Sequence, residues 1–477
     1  MRHVEVRKGA YVDSVTLMQV SRRVADLDGV EAALVAMTTD LNLELAAGMG
    51  FEVPTGTTGN EMLVALAAAS EDELATARDE VEAALAAASK PGTSGFGVST
   101  GSTTGMRPLT VRAAVRDLDP AVTVALVSTP GQYAFADALD AVEAGLLTMI
   151  FSDNVPVEQE VALKDRAAET GALVMGPDCG TAVVGGVGLG FANVVRPGPV
   201  GIVAASGTGA QHLMSLLDGA GVGISNCLGV GGRDLSAAVG GLSTIRALDL
   251  LAGDPATELV VVISKPPAPE VAQRVRDHAT SSGKKVLFGL LGAGQPDLTA
   301  TAAAVVAAAG GTWDAPGHWA GAVDKVRDAG ALRGLFVGGT MRDEATIIAS
   351  ETLGESQVMV DFGDDELTRG RPHPMIDGSL RVERIEREID DPACGVLLLD
   401  VVLGLGSDPD PAAGLVDAVR RATATGLPVV ASVIGTRDDP QDVSRQCAAL
   451  TEAGAAVHLS NAEAAREAVR LVEGATR

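Results

Sequence analysis

Aromatic residues are nearly missing from this 477-residue chain: Phe, Trp and Tyr together make up 3% of it. Cysteine is equally sparse. Cys179, Cys227, Cys394 and Cys447 lie far apart, with no CxxC pair and no histidine at metal-ligand spacing, which excludes a disulfide scaffold and a thiolate metal site and implies a reducing compartment. Positive charge is in deficit, with 36 Lys and Arg against 62 Asp and Glu and a net charge of −26, so nucleic acid and anionic membrane surfaces are excluded as partners. Apolar runs such as 259–263 and 395–399 have the length of buried strands and are too short to cross a bilayer. The opening Met1-Arg-His-Val-Glu-Val lacks the apolar core of a signal peptide, which points to a cytoplasmic protein. There is no Walker A sequence, no Ser–His–Asp signature and no metal-ligand helix motif, so nothing marks an ATPase, a hydrolase or a metalloenzyme.

What the chain does have is alanine, valine and glycine (57 Gly) within a composition that is 47% hydrophobic. That is the mixture of parallel sheets packed closely against helices, and the length allows about three such domains. Residues 1–89 read as a small α+β domain with a ferredoxin-like layer, and 90–106, rich in Ser, Thr and Gly, as a linker. From there strands and helices alternate. A partial Rossmann domain is expected over 107–196, a flavodoxin-like domain over 197–312, and a second over 330–477. The fold class is therefore α/β. The third block repeats the strand, glycine turn and helix of the second, so an internal duplication with two facing anion seats is expected.

The glycine turns fall where such sheets bind ligands, at the carboxyl ends of their strands. Gly201-Ile-Val-Ala-Ala runs into Ser206-Gly207-Thr208-Gly209 and then a helix-forming segment, a turn whose backbone N–H groups and helix N-terminus suit a phosphate or carboxylate. Gly229-Val230-Gly231-Gly232-Arg233-Asp234 follows the next strand and adds a guanidinium. Gly338-Gly339-Thr340 is the matching turn of the third block. Lys265, after the strand ending at Ser264, is either an anion partner or a surface lysine ahead of Pro266-Pro267. Asp178 and Cys179 in Gly176-Pro-Asp-Cys-Gly180 could touch a ligand or form a plain tight turn. Asp361-Phe-Gly-Asp-Asp-Glu366 with Gly370-Arg371-Pro-His373-Pro374 is the densest polar cluster of the third block and could bind a polar substrate or supply acid–base chemistry, with Asp365 and Glu366 equally readable as solvated loop charges. Asp400, in a very apolar strand, requires a partner, for which Arg371 or a ligand is expected.

In order and spacing, Gly176-Pro-Asp-Cys-Gly180, Gly201 to Thr208 and Gly229 to Asp234 resemble the α subunit of succinyl-CoA synthetase and related acyl-CoA synthetases. Over its length the chain resembles the FdrA family, through Val6-Arg-Lys-Gly9, Phe151-Ser-Asp-Asn154, Val174 to Thr181, Phe191-Ala-Asn-Val194, Ser264-Lys-Pro-Pro267, Gly370 to Asp377 and Leu398-Leu-Asp-Val-Val402. Three departures separate it from the synthetases. Only the second half of a CoA domain is evident. Gly292-Ala-Gly-Gln295 stands where the synthetases carry a phosphohistidine loop, and Ser264-Lys265 stands where they have Gly-Glu.

The FdrA resemblance implies a subunit of oxamate carbamoyltransferase, which interconverts oxalurate plus phosphate with oxamate plus carbamoyl phosphate in anaerobic allantoin breakdown. It implies direct transfer without a phosphohistidine, small anionic substrates (oxalurate, phosphate, carbamoyl phosphate), further carbamoyltransferase subunits in an oligomer, and no bound metal or cofactor. On this reading the 206–209 turn holds phosphate, Arg233 and Lys265 balance its charge, and the loop of Arg371 and His373 holds the oxalurate carboxylate. Gly231, Gly232, Asp178, Cys179, Gly339, Thr340, Asp364 and Asp400 complete the expected site. Two alternatives stand beside it: a CoA ligase subunit of the acyl-CoA synthetase type, the only one that calls for CoA, and a non-catalytic organising subunit.

Overall fold

A computed structural model describes residues 1–8, 12, 14–54, 57, 61–88, 108, 110–117, 123–322, 330–354, 356–368 and 372–475. The whole of the expected 90–106 linker and Arg371 lie outside these residues. The chain divides into two compact units, one comprising Met1–Leu109 with Arg369–Pro372 and one comprising Thr110–Thr368 and His373–Arg477.

In the first unit β1 (Arg2–Arg7), α1 (Ser14–Ala25), β2 (Val30–Met37), α2 (Asp40–Gly48), β3 (Met62–Ala68) and α3 (Glu71–Ala88) follow one another. The strands form an antiparallel sheet in the order β1-β3-β2. The central strand is apolar throughout because both of its faces are covered. Val64 and Leu66 pack with Leu17, Val24 and Val81 of the helices on one face, while Leu63 and Ala65 pack with Ala46 and Phe51 on the other. Successive side chains of a strand point to opposite faces, so one apolar run supplies two cores.

The second unit opens with α4 (Val111–Asp117), β4 (Val124–Val127), α5 (Gly131–Glu143), β5 (Leu147–Ile150), α6 (Val157–Thr170) and β6 (Val174–Met175), whose strands make a three-stranded parallel sheet. A hairpin, β7 (Thr181–Val184) and β8 (Val187–Gly190), follows, an element beyond the strands expected from the sequence. Next come β9 (Pro197–Ala205), α7 (Gly207–Gly219), β10 (Ile224–Gly229), α8 (Leu242–Gly253), β11 (Leu259–Ser264), α9 (Pro269–Ala279), β12 (Lys285–Leu290) and α10 (Leu298–Ala308). Their sheet runs β12-β11-β9-β10-β7-β8, with the first four strands parallel. The chain closes with β13 (His318–Trp319), β14 (Ala331–Phe336), α11 (Gly339–Leu353), β15 (Gln357–Asp361), α12 (Asp365–Thr368), α13 (Ser379–Asp390), β16 (Cys394–Val402), α14 (Ala413–Ala424), β17 (Val429–Ile434), α15 (Val443–Glu452), β18 (Ala456–His458) and α16 (Asn461–Ala475). This sheet runs β13-β18-β17-β16-β14-β15.

The two larger sheets share a strand order, with β9, β10, β11 and β12 corresponding to β14, β15, β16 and β17. In each, the connections leave a central pair of neighbours in opposite directions: β9 and β11 in one, β14 and β16 in the other. Such a switch point opens a crevice at the strands' carboxyl ends. Ser206 and Lys265 follow the first pair, while Val337 and Gly338 follow β14 beside Asp400 of β16.

Helices of both halves meet along a reciprocal polar seam. His212 of α7 accepts a hydrogen bond at Nε2 from the first amide of α16, that of Asn461 (3.3 Å), and Glu344 of α11 accepts one from the first amide of α10, that of Leu298 (2.7 Å). The hydroxyls of Thr299 and Ser460 close the seam at 2.7 Å. Each acceptor satisfies a helix N-terminus that would otherwise be buried without a partner.

Candidate functional site

Strand β9 is buried from Val200 to Ala205 and cannot continue past Ser206, whose side chain turns back to accept the Gly209 amide at 2.9 Å. A serine doing so is a helix N-cap, and α7 starts there. Helix α11 starts after Gly338 with no side-chain cap of its own. The two starts face each other. Ser206 Oγ lies 2.5 Å from Thr340 Oγ1. A Cβ on Gly338 would come within 2.8 Å of Thr208 Oγ1, so only glycine allows this approach. Two helix N-termini, each carrying about half a positive charge, are thus brought side by side.

Lysine and aspartate meet at the same place. A Cβ on Gly339 would stand 2.8 Å from Lys265 Nζ and 2.4 Å from Asp361 Oδ2. The lysine reaches from the β11 end of one sheet to the helix start of the other. Burial is the largest influence on Asp361 and raises its pKa, against the lowering effect of the Gly363 amide, Lys265 and Arg342. On the α7 side, Thr181 is buried, and its Oγ1 would be 3.7 Å from a Cβ on Gly207. That hydroxyl has no hydrogen-bond partner among the described residues.

Asp400 is fully buried and works through the backbone. Its two oxygens accept the amides of Val337 (2.8 Å) and Gly338 (3.0 Å), which fixes the turn into α11. Its charge partner among the described residues is Arg381 of α13, at 3.0 Å; Arg371, expected there with a ligand as the alternative, lies outside those residues. Burial pushes the Asp400 carboxyl up to about 6, with Arg381 and the two amides opposing.

His373 is half-buried and its ring packs against Phe191, with centroids 5.8 Å apart. Its Nδ1 accepts the Met375 amide at 3.2 Å, and Nε2 is 2.7 Å from where a Cβ of Gly363 would be. Enclosure lowers its pKa, so at neutral pH the ring is an uncharged donor at Nε2. Asp364 is exposed and caps the short α12, accepting the Glu366 amide at 3.0 Å.

The second glycine turn lies against a different loop. Gly229 and Gly231 pack onto the Gly176–Thr181 loop, where a Cβ on Gly231 would meet Pro177 O at 2.7 Å. Arg233 donates to Glu160 Oε2 (3.0 Å) and to Val155 O (2.8 Å). Asp234 is fully buried, salt-bridged to Lys164 at 2.8 Å and capping α8 through Ser243 and Thr244. Lys164 also pairs with Glu160 at 2.7 Å. The four charges tie α6 to the turn after β10. Gly232 and Asp178 are exposed, and Cys179 is buried, with desolvation pushing its thiol up to about 12. A thiol held so far from ionisation is no nucleophile at neutral pH.

The structure therefore brings Ser206, Gly207, Thr208, Gly209, Gly339, Thr340 and Lys265 to one place, with Asp400 behind them. Arg233 is engaged elsewhere. Sequence reasoning missed Thr181, Arg342 and Arg381, and saw Asp361 only as one charge in a polar run. The alternation of strands and turns could have signalled Asp361, since it ends β15 at the same sheet edge.

Two parallel sheets with facing helix N-termini at their switch points define a CoA-ligase-like protein, and a CoA-ligase family model matches residues 335–471. Residues 1–100 match the family model described as "AllF, heavy metal-associated domain". The uncharacterized protein YahF of Escherichia coli K12 is 34% identical over 94% of this chain and 95% of its own length. The chain belongs to the FdrA family, as YahF does. The succinate–CoA ligase [ADP-forming] subunit alpha of Methanothermobacter thermautotrophicus is 27% identical over 37% of this chain, which spans 59% of that subunit's length. A solved dinucleotide-forming acetyl-coenzyme A synthetase 1 from Ca. Korarchaeum cryptofilum aligns over 75% of this chain and 84% of its own, at 18% identity and a TM-score of 0.30, a loose likeness with no bearing on substrate.

The heavy-metal name does not fit the residues present. The first 100 residues contain no cysteine and one histidine, His3, so the soft thiolate ligands such ions require are absent there. Among the described residues no group of three or more His, Cys, Asp or Glu side chains is placed to hold a metal ion. No helix among them is long and apolar enough to cross a membrane.

Proposed function

We propose that this chain is a subunit of a carbamoyltransferase that interconverts oxalurate and phosphate with oxamate and carbamoyl phosphate, by direct transfer. The observation that carries this reading is the meeting of the α7 and α11 N-termini with Lys265 at Gly339. Backbone amides from two helices and one ammonium suit a small multiply charged anion, and the Thr181 hydroxyl would gain a partner in one of its oxygens. Phosphate held there attacks the carbamoyl carbon, and the same donors stabilise the oxyanion of the tetrahedral intermediate.

Residues 292–295 hold no histidine, so the chain itself offers no phosphohistidine relay at that loop. The AllF description of the N-terminal match and the FdrA membership support the same reading. His373, neutral and donating from Nε2, is suited to the oxalurate amide or carboxylate as a hydrogen-bond donor, without adding charge. The relatives of the CoA-ligase type are named as subunits, and this chain too is proposed to work with further subunits in an oligomer, with no cofactor of its own.

The test is phosphorolysis of oxalurate by the chain assembled with its partner subunits, with carbamoyl phosphate as the measured product. No phosphate-dependent product from an intact assembly would rule the reading out. A second reading, a CoA ligase subunit, is favoured by the CoA-ligase family match. Nucleotide-dependent acyl-CoA formation by the same assembly would support that one.

A further inference from the structure

We propose that Asp361 is the proton carrier of the transfer site, taking the proton of the attacking phosphate and delivering it to the departing oxamate nitrogen. The inference rests on the carbamoyl-transfer reading. In that reaction monohydrogen phosphate loses a proton as one of its oxygens bonds to the carbamoyl carbon. The carbon–nitrogen bond then breaks, and the oxamate nitrogen takes up one proton. The net proton change is zero, so one group that accepts and then donates completes the cycle, and no oxidant or co-reactant is needed.

Asp361 has the position for this work. It ends β15 at the switch-point edge, and its Oδ1 is pinned by the Gly363 amide at 2.9 Å. Its Oδ2 is directed at the face of Gly339, where a Cβ would be 2.4 Å away, and Lys265 Nζ lies against the same face. The first turn of α11, the lysine and the carboxylate therefore meet at one point, which the two side chains can reach because residue 339 has no side chain.

The groups around the carboxylate come from every neighbouring element. Lys265 follows β11, Arg342 lies in the first turn of α11, Asp364 is in the loop after β15, His373 Nε2 and Asp361 Oδ1 approach the same point at Gly363, and Asp400 lies on β16. The cations hold a carboxylate there, while burial and Asp364 make it readier to accept a proton. The other two candidates are engaged. Asp400 has both oxygens on backbone amides, and His373 has Nδ1 on the Met375 amide.

The experiment compares wild type, Asp361→Asn and Asp361→Glu in the full assembly. Asp361→Asn is expected to lower kcat by about 10²–10⁴-fold, the range for loss of a general acid–base group. The KM for phosphate should move by less than about threefold, because the lost interaction belongs to the transition state. The acidic limb of the kcat/KM profile should disappear, and Asp361→Glu should restore part of the rate. An active wild type with an unimpaired Asp361→Asn variant, or a loss confined to KM, overturns the inference. If wild type forms no carbamoyl phosphate, the functional reading falls and the proton-carrier role falls with it, an outcome distinct from an active wild type with an unimpaired Asp361→Asn variant.

Discussion

The hydroxyls of Ser206 and Thr340 are 2.5 Å apart, so the first turns of two helices that grow from different sheets share one hydrogen bond. Ser206 also caps its own helix through the Gly209 amide. One oxygen thereby fixes both the start of α7 and its alignment with α11. Replacing Ser206 by Ala should cost about 1–2 kcal/mol, the range for a lost N-cap plus a buried hydrogen bond. A double-mutant cycle with Thr340→Ala, read by urea unfolding, should give a coupling of about 0.5–1.5 kcal/mol. Strict additivity would mean that the two hydroxyls do not support each other.

Lys265 and Arg233 are expected to separate sharply. The lysine lies at the helix starts, and its replacement by Ala should reduce kcat/KM by about 10²-fold or more, as for loss of a charged transition-state donor. The Arg233 guanidinium is held by Glu160 and Val155, and Glu160 keeps Lys164 when it is removed. Arg233→Ala should therefore change kcat/KM by less than about tenfold, with a modest loss of stability. Equal damage by both variants, measured in the assembled enzyme, would show that Arg233 leaves Glu160 to meet substrate.

Gly339 tests the space itself. Its backbone conformation is open to any residue, so Gly339→Ala should leave the melting temperature within a few degrees of wild type. Its new methyl group would press on Asp361 Oδ2 and Lys265 Nζ. Activity should fall by about tenfold or more through displacement of reacting groups, as misplacements near 1 Å do elsewhere. Full activity in this variant would remove the Gly339 face from the site.

His212 should make stability depend on pH. It is fully buried in the helix seam, desolvation lowers its pKa from 6.5 to about 4, and Nδ1 has no hydrogen-bond partner among the described residues. Between about pH 6.5 and pH 4 the unfolded chain binds a proton at this ring while the folded chain does not. Stability is therefore lost as pH falls through that window, by up to about 3 kcal/mol. His212→Gln cannot titrate, so its stability relative to wild type should improve progressively from pH 7 to pH 5 in chemical denaturation. A gap that stays constant with pH would show that the folded state protonates His212 as readily as the unfolded one.

Much of the architecture was legible because it is local. Alternation of apolar runs with helical segments marked β9 to β12 and β14 to β18 to within about three residues at each end, and the turn after Ala205 was readable from its glycines. The β7–β8 hairpin was missed although Gly185-Gly186, both at positive φ, form a two-residue hairpin turn: its strands Thr181–Val184 and Val187–Gly190 are only four residues each, and glycine breaks the second. The same limit applies to the charges. Arg233 and Lys265 look alike in sequence, each a lone cation beside a glycine or proline turn, and nothing local indicates that one meets Glu160, 73 residues away, while the other crosses to Gly339.

Sequence by itself determined the strands, the helix starts and the presence of two glycine turns that could seat an anion, since backbone geometry and burial period follow from neighbouring residues. The expected facing of two such turns followed from the repeat of strand, turn and helix, but tertiary structure alone decided that Ser206 meets Thr340 there, that Arg381 partners Asp400, and that Asp361 joins Lys265 at Gly339. These relationships join residues on separate strands and helices. They exist only once the switch points of two sheets have been folded into register, and each charged group then takes whichever partner burial brings within reach.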